Sequence, residues 1–464
     1  MRIFRKYVSS REFVFILGEG LLIFMAVFLA SFFFFMPEMR LLELLAFIWP
    51  RVLLIAIVTQ LSLYFNDLYE IRVADSTLDL ATRLIQSIGM TSIALAIIYF
   101  VWPDAIIGRW VFFLSLLFLI GFLVSWRLLY NMVISHRLFS NKALIVGTGA
   151  LAGDILDAVT RRGDLSYDIR GILGHPKEQP AITNTQDIPV RKGFEGLCDL
   201  AEAEEAESII VALDDKRGIM PYQELLRCKI RGLTVVDGES FYEQVTGKLL
   251  VEKINPSWLI FSEGFRKPLL SRLMKRAVGL CLSVLMLIVL LPLMAVVALA
   301  IKLDSRGPVI FSQDRVGENE QEFMLHKFRS MREDAEKATG PVWAQEDDTR
   351  ITRVGRVIRK LRIDELPQLW NVLKGDMSFV GPRPERLFFV EKLKKSVPYY
   401  SERHSVKPGI TGWAQVKYPY GDSEEDALEK LKYDLYYIKN MSLILDLIII
   451  FHTVKIVLLG RGAQ

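Results

Sequence analysis

The chain has 464 residues, a formal net charge of +4 and 52% hydrophobic residues, with a mean hydropathy of +0.29. A chain this apolar is not an ordinary soluble enzyme, and its length allows two or three domains. Charged residues still make up 24% of the chain, so substantial parts must face water. Three isolated cysteines predict neither a disulfide framework nor a cysteine metal site, and the histidines lack metal-site spacing.

Four apolar runs dominate residues 1–140, namely Phe13–Met36, Leu44–Phe65, Leu84–Trp102 and Trp110–Leu129. Each is close to the ~20 residues that cross a hydrocarbon core as a helix. Basic residues lie at both ends of this region, at Arg2, Arg5, Lys6 and Arg11 and again at Arg127, Arg137 and Lys142. The positive-inside rule then puts both ends in the cytoplasm, as four transmembrane helices require.

Residues 141–262 alternate between strand and helix patterns. "KALIVGTGALAGDILDAV" predicts a strand, a glycine turn and a helix, and "YDIRGILG", "SIIVAL" and "LTVVDGE" predict further strands. This alternation is typical of a parallel sheet in a Rossmann-like domain. The turn from Gly147 to Ala152 fits the dinucleotide fingerprint, but Gly174-His175-Pro176 stands where an acidic ribose ligand is expected. We therefore favour a scaffold or regulatory role for this domain and assign no cofactor-binding residue.

A fifth apolar run, Cys281–Ile301, has 21 residues without a charge. Pro292 lies at its centre, where it removes a backbone hydrogen bond and bends the helix. Basic residues flank both ends of the run: Arg272, Lys275, Arg276, Lys302, Arg306 and Arg315. A simple crossing would leave one basic cluster outside the cell. The pattern instead predicts a re-entrant membrane helix at about 275–302, broken at Pro292, which opens a third domain over 263–464.

The rest of this third domain reads as a compact α+β fold. "PVIFSQDRVG" and "EFMLHKFRSM" predict two strands around a Gly-Glu-Asn turn, and helical segments follow. The apolar tail, "SLILDLIIIFHTVKIVLLG", is better suited to an interfacial or docking helix than to a sixth crossing. The predicted fold is thus a membrane α-helical region plus α/β, with four spans, a Rossmann-like domain and a re-entrant helix leading into a compact α+β domain.

A cationic stretch without any acidic residue lies in this domain, comprising Arg350, Arg353, Arg356, Arg359, Lys360 and Arg362. Helical residues three and four apart are neighbours, so several of these charges share one face. A solvated helix usually mixes in glutamates. The unbroken basic face therefore indicates anionic partners, either lipid headgroups or phosphates.

Asp364 and Glu365 follow directly. Adjacent helical side chains point about 100° apart, so this pair cannot work as a facing acid and base but can contact two parts of one ligand. One carboxylate could attack phosphorus while the other holds a divalent ion. Arg383 lies between two prolines, which suits a rigid grip on phosphate. Further candidate ligands are Lys327 and Arg329 for phosphate, and Asp376 and Asp434 for metal or substrate.

The stretches "KFRSM", "IDELPQLWNVLKGDMSFVGPRPE", "KPGITGWAQV" and "YDLYYIKNMSLILDL" together resemble the bacterial sugar transferase family. Its members are polyprenol-phosphate phosphoglycosyl transferases of the single re-entrant-helix type. The four spans and the Rossmann-like domain resemble the long form of that family. "GRGAQ" and "YPYGDSEEDALEKL" are similar to the subset associated with exosortase-type exopolysaccharide clusters.

The resemblance implies a reaction on the cytoplasmic face of the bacterial inner membrane. A hexose-1-phosphate moves from a UDP-sugar to polyprenyl (undecaprenyl) phosphate and UMP leaves, as the first membrane step of exopolysaccharide biosynthesis. Asp364 matches the nucleophile, which forms an aspartyl-phosphosugar, and Glu365 matches its Mg²⁺-binding partner. The other matched site residues are Lys327, Arg359, Arg383 and Asp434. Arg329 for phosphate and Asp376 for metal remain candidates from the residue pattern alone. Short members carry Ser-Pro at the helix break, whereas Leu291-Pro292 stands here, so the proline must break the helix alone.

Two alternatives stay open at this point. A membrane-tethered nucleotide-sugar dehydratase or epimerase would use the Rossmann-like domain, but we find no acidic ribose ligand or Tyr-x-x-x-Lys pair. A non-catalytic assembly scaffold would leave Asp364, Glu365, Arg359 and Arg383 without a role. The sequence does not name the sugar, although glucose and galactose are favoured over N-acetylated hexoses. It leaves homo-oligomerisation open, and it indicates membrane lipid but no nucleic acid as a partner.

Overall fold

A computed structural model of the chain describes residues 10–35, 41–69, 77–135, 140–161, 167–176, 178, 181–182, 188–253, 264–265, 268–332, 350–418, 421 and 423–459. The basic residues Arg2, Arg5, Lys6 and Arg137 and the closing "GRGAQ" lie outside these ranges. The chain divides into two compact units, Met1–Val245 and Thr246–Gln464.

The first unit begins with four long apolar helices: α1 (Ser10–Phe35), α2 (Leu41–Phe65), α3 (Thr77–Val101) and α4 (Arg109–Ser135). All four are long and apolar enough to cross a membrane, which confirms the four predicted runs as candidate spans. Arg127 of α4 pairs with Glu19 of α1 at 2.8 Å, and both side chains are buried. Charges inside a membrane are costly unless they are paired, so this ion pair holds α1 against α4.

The same unit contains the predicted parallel sheet. Its strands are β1 (Asn141–Val146), β2 (Tyr167–Gly174), β3 (Val190–Lys192), β4 (Ser208–Val211) and β5 (Thr234–Asp237), in the order β3-β2-β1-β4-β5. All neighbouring pairs are parallel. The helices that follow these strands are α5 (Ala150–Arg161), α6 (Leu197–Ala203), α7 (Tyr222–Ile230) and α8 (Gly238–Thr246). The central strands bury almost every residue, as strands covered on both faces must.

The structure corrects the expectation that the cysteines stay unpaired. Cys198 of α6 and Cys228 of α7 are joined by a disulfide, with their Cα atoms 5.2 Å apart. Both residues lie in the hydrophobic core that these helices share with the sheet. Their separation of 30 positions along the chain gave no sequence signal, because only the packing of α6 beside α7 brings the two sulfurs together.

The second unit opens with a fifth apolar helix, α9 (Leu269–Asp304), of 36 residues. At about 1.5 Å per residue it is roughly 54 Å long, against about 30 Å for a hydrocarbon core. It runs through Pro292 as one helix, and it is also long and apolar enough to cross a membrane. Its middle presents large apolar side chains to the outside, including Leu285, Ile288, Val289 and Leu291. The re-entrant path and the break at Pro292 stay predictions.

The remaining elements surround two small sheets. The predicted hairpin is confirmed: β6 (Ile310–Val316) and β7 (Glu322–Phe328) pair antiparallel throughout. Strands β8 (Ser378–Val380) and β9 (Gly409–Thr411) pair parallel. The helices are α10 (Arg353–Lys360), α11 (Gln368–Lys374), α12 (Leu387–Ser396), α13 (Trp413–Lys417), α14 (Glu424–Asn440) and α15 (Leu443–Leu459).

Helix α15, the apolar tail of the sequence, packs onto the second unit. Leu445 and Ile449 are fully buried, and the Thr453 hydroxyl lies 2.6 Å from that of Thr411 in β9. The opposite face is exposed and apolar, at Leu447, Phe451 and Val454. These contacts favour the docking helix among the readings left open by the sequence.

Candidate active site

A short turn between α10 and α11 carries the two adjacent acids. Helix α10 begins at Thr352, whose hydroxyl accepts a hydrogen bond from the Gly355 N–H at 2.9 Å. Just after α10 the backbone of Arg362 takes a left-handed conformation, with φ of 56°. A single 3₁₀ turn, Ile363–Glu365, follows, and Pro367 precedes α11. Left-handed non-glycine residues are uncommon and cluster at functional sites. Here the left-handed Arg362 separates α10 from the turn that carries Asp364 and Glu365.

Glu365 is buried and surrounded by cations. Its Oε1 lies 2.8 Å from Arg383 Nη2, 3.5 Å from Lys327 Nζ and 3.7 Å from Arg362 Nη1. Burial alone would raise the pKa of Glu365, but the charges of Arg383, Lys327 and Arg362 outweigh it and hold the pKa well below its usual range. Glu365 is therefore ionised at neutral pH. One of the cations around it, Lys327, comes from the hairpin strand β7.

Asp364 lies in a different environment although it is the next residue. Burial, together with the charge of Glu365, raises the pKa of Asp364 to about 6, while Lys327, Arg359 and Arg383 act in the opposite direction. Most Asp364 side chains are still ionised at pH 7, and this half-buried carboxylate is a better nucleophile than a fully solvated one. The pair thus consists of one carboxylate held by three cations, Glu365, and one carboxylate with a raised pKa, Asp364.

A buried ion pair supports Arg383 from behind. Arg403 Nη2 donates to the Arg383 carbonyl at 3.0 Å, and the same guanidinium donates to Asp434 Oδ2 at 2.9 and 3.2 Å. Arg403 also donates to the Tyr400 hydroxyl at 2.6 Å. Asp434, on α14, therefore acts on the site through Arg403 in this structure. Sequence reasoning named Asp434 but missed Arg403, because "SERHS" resembles no binding motif.

Two other predicted residues lie apart from this cluster. Arg329 is buried and donates to the Ser305 carbonyl and hydroxyl at 2.8 and 2.9 Å, at the end of α9. Asp376 lies 3.7 Å from Lys374 and 3.4 Å from the Asn371 amide, beyond the end of α11. The structure thus brings together Asp364, Glu365, Lys327, Arg359 and Arg383, while the predicted ligand roles of Arg329, Asp376 and Asp434 stay predictions.

Asn371 is a further residue that sequence reasoning missed. It is fully buried on α11, where its Oδ1 accepts from the His326 N–H at 3.1 Å and its Nδ2 donates to the Met324 carbonyl at 2.7 Å. These bonds fasten β7, and with it Lys327, against α11. A buried asparagine inside the apolar stretch "LPQLWNVLKG" is the signal that could have found it, because buried polar groups need partners.

Two family models match the chain, one of them over the part that contains this site. The bacterial sugar transferase family matches residues 270–460, and a CoA-binding domain family matches residues 64–218. An undecaprenyl-phosphate glucose phosphotransferase from Komagataeibacter xylinus is 34% identical over 375 residues, which cover 78% of this chain and 68% of that protein. The chain belongs to the bacterial sugar transferase family.

Other relatives match a shorter part of the chain. The UDP-N-acetylgalactosamine-undecaprenyl-phosphate N-acetylgalactosaminephosphotransferase of Aeromonas hydrophila is 43% identical over 240 residues, 52% of this chain and 56% of that protein. The UDP-glucose:undecaprenyl-phosphate glucose-1-phosphate transferase of Escherichia coli (strain K12) is 44% identical over 188 residues, 40% of each chain. The chain thus spans about half the length of these two relatives. Their names divide between glucose and N-acetylgalactosamine, so likeness alone does not select the sugar.

The acid pair is also the candidate site for the expected magnesium ion. Among the described residues, no group of three or more histidine, cysteine or acidic side chains is placed to hold a metal. Magnesium sites on phosphate substrates commonly use only one or two carboxylates, with phosphate oxygens and water as the other ligands. Asp364 and Glu365 meet that requirement once a diphosphate lies against them.

The basic face of α10 lies beside the apolar helix α9. Ile358 of α10 is buried in one cluster with Val297 and Ile301 of α9. Arg353, Arg356 and Lys360 point outward and are exposed. Anionic headgroups and lipid phosphates are found where apolar and basic surfaces meet in this way.

Proposed function

We propose that this protein is a phosphoglycosyl transferase. It moves a hexose-1-phosphate from a UDP-sugar to undecaprenyl phosphate, releases UMP and begins polysaccharide assembly on the membrane. One observation carries the proposal: Asp364, a carboxylate with a raised pKa, lies beside Glu365, a carboxylate paired with cations. Both lie in one cluster with Lys327, Arg359 and Arg383. The membership of the chain in the sugar transferase family supports the same activity.

In the first step, an Asp364 oxygen attacks the donor phosphorus that carries the sugar. A bond forms between that oxygen and phosphorus, while the bond from phosphorus to the bridging oxygen breaks and its electron pair leaves with UMP. Arg383 is one-third exposed, so it can contact the diphosphate while it stays paired with Glu365. Glu365 and Asp364 would hold Mg²⁺ against the diphosphate, where the ion would neutralise negative charge.

In the second step, an oxygen of undecaprenyl phosphate attacks the same phosphorus and the Asp364 carboxylate leaves with its electron pair. The product is a sugar linked to the lipid through a diphosphate, and Asp364 returns to its starting form. Both steps bring anions together, so positive charge and positioning matter more than acid–base chemistry. Arg359 lies close enough to Asp364 to lower its pKa, which suits contact with the acceptor phosphate.

The contacts of α9 support a path that does not cross the membrane. Near its start, Lys275 donates to the Val380 carbonyl at 3.0 Å and pairs with Asp446 at 2.7 Å. At its end, Asp304 Oδ2 accepts from the Val354 N–H at 3.0 Å. Lys275 and Asp304 thus both contact one compact unit, whereas in a straight crossing their separation of 29 positions would carry them about 44 Å apart, from one side of the bilayer to the other. The cytoplasmic side is the one that holds UDP-sugars, and the charged site lies there beside the lipid phosphate.

UMP release from a panel of UDP-sugars, with and without undecaprenyl phosphate, tests the proposal. Asp364→Asn keeps the shape of the side chain but loses the nucleophile, so UMP release should fall to background with every donor. Asp314→Asn, an exposed acid on the hairpin, is the matched control and should behave as wild type. Normal turnover by the Asp364 variant would rule the proposal out.

A further inference from the structure

The turn from Gly147 to Ala152 is the place where a Rossmann-like domain receives phosphate. It joins β1 to α5, and the first N–H groups of a helix carry partial positive charge and point at a bound anion. CoA and dinucleotides each carry a pyrophosphate, so the CoA-binding family match over residues 64–218 directs attention to this turn. A phosphate can bind there only if the turn has room for it and N–H groups that are not already bonded.

The domain's own carboxylates already occupy those donors. The Ala150 and Leu151 N–H groups donate to the two oxygens of Asp214, at 2.7 and 2.8 Å. The Thr148 N–H and hydroxyl both donate to Glu178, at 2.8 and 3.1 Å. Asp214 follows β4 and Glu178 follows β2, so acids from the two strands that flank β1 meet over the turn.

The packing around the turn is also too close for a pyrophosphate. A Cβ atom built on Gly149 would lie 2.3 Å from Asp214 Oδ2 and 3.0 Å from Glu178 Oε1. The Ala181 N–H donates to the Thr148 carbonyl at 2.9 Å, so Ala181 also lies against the turn. An acid after the second strand ordinarily binds the ribose of a dinucleotide. Here the corresponding segment supplies Glu178, which binds the turn itself.

We propose that Asp214 and Glu178 close the anion-binding turn of the α/β domain, so that this turn binds no phosphate of CoA or of a dinucleotide. Two negative side chains hold the helix terminus in place of a ligand, and they would repel any phosphate that approached. The glycine fingerprint in this chain then serves a tight strand-to-helix connection. The residues present do not fit the ligand that the family name implies.

Equilibrium dialysis of the full-length protein in detergent micelles tests the first half of this proposal. CoA and NAD⁺ are the probes, and UMP is present in excess so that the transferase site is filled. We expect no saturable binding of either probe at millimolar concentration. Saturable binding of CoA or NAD⁺ to the wild-type protein under these conditions would overturn the proposal.

Opening the turn tests the second half. In the double variant Asp214→Ala/Glu178→Ala, sulfate should raise the melting temperature beyond the effect of chloride at equal ionic strength. Asp199→Ala/Glu202→Ala removes two exposed acids that pair with Arg231 on the same domain, and it should respond as wild type does. The milder variant Asp214→Asn, which keeps the side-chain shape, should shift in the same direction if the double variant does not fold. An equal sulfate response in all of these proteins would show that no anion site lies beneath the carboxylates.

Discussion

Removal of Asp434 should weaken both the fold and the catalysis, because its partner is buried with it. The side chains of Arg403 and Asp434 are 6% and 3% exposed and lie 2.9 Å apart. Removing one member of a buried ion pair leaves the other charge unpaired, which costs about 3–5 kcal/mol of stability. Asp434→Ala should therefore lower the free energy of unfolding by about that amount. UMP release should fall by roughly 10²-fold, the usual effect of a ~1 Å displacement of a catalytic group.

A double variant separates these two effects. Arg403→Met/Asp434→Leu replaces the buried pair by apolar side chains, an exchange that is often neutral or stabilising by about 1–4 kcal/mol. Stability should return toward wild type, whereas kcat should stay low because the Arg383 carbonyl has lost its donor at 3.0 Å. Denaturant unfolding and UMP release of the same micelle preparations supply both measurements.

A control on the same helix calibrates the result. Glu424 of α14 pairs with Lys392, and the two side chains are 37% and 56% exposed. Glu424→Gln should leave both stability and kcat near their wild-type values, because exposed ion pairs contribute little. A wild-type kcat in Asp434→Ala would contradict the proposed support of Arg383 by the Arg403–Asp434 pair. Recovery of kcat together with stability in the double variant would contradict it as well.

Three further predictions follow from the same geometry. Glu365→Gln removes the anion that Arg383 and Lys327 share, so kcat should fall and more Mg²⁺ should be needed for half-maximal activity; an unchanged Mg²⁺ titration would contradict this. In a chain with Cys281 changed to serine, cysteines are placed at Arg272 and Arg306. Both should react with an impermeant thiol reagent from the cytoplasmic side only. Reaction from opposite sides would show that α9 crosses the membrane. A chain that begins at Thr246, where the second unit starts, should keep measurable UMP release, since Asp364 and its cations all lie in that unit; a folded but inactive product would assign the first unit a catalytic role.

Local patterns explain which features were predictable from sequence. Alternating apolar strands and helices predicted the parallel sheet, and the turn in "PVIFSQDRVGENEQEFMLHKF" predicted the hairpin. The adjacent acids and the proline-flanked Arg383 were predicted as site residues because charged side chains and prolines lie together in one short stretch. These features depend on residues close together in the chain, which is the range that hydrophobic periodicity and turn chemistry cover.

Long-range partners explain the rest. Arg403 meets Asp434 across 31 residues, and Asn371 reaches the strand that carries Lys327 across 45 residues. The glycine fingerprint predicted a turn, yet it could not show that Asp214, 64 residues away, fills it. Each of these contacts depends on how the elements pack, and no local pattern records that.

The proposed mechanism requires that Asp364 forms a covalent bond to the sugar phosphate before the lipid acceptor arrives. Mass spectrometry of the protein after incubation with UDP-sugar and Mg²⁺, without undecaprenyl phosphate, tests it most directly. We expect the mass to increase by one hexose phosphate on the peptide that contains Asp364. The Asp314→Asn protein should show the same increase, and the Asp364→Asn protein should show none. UMP release without an adduct, or an adduct on another residue, would contradict it.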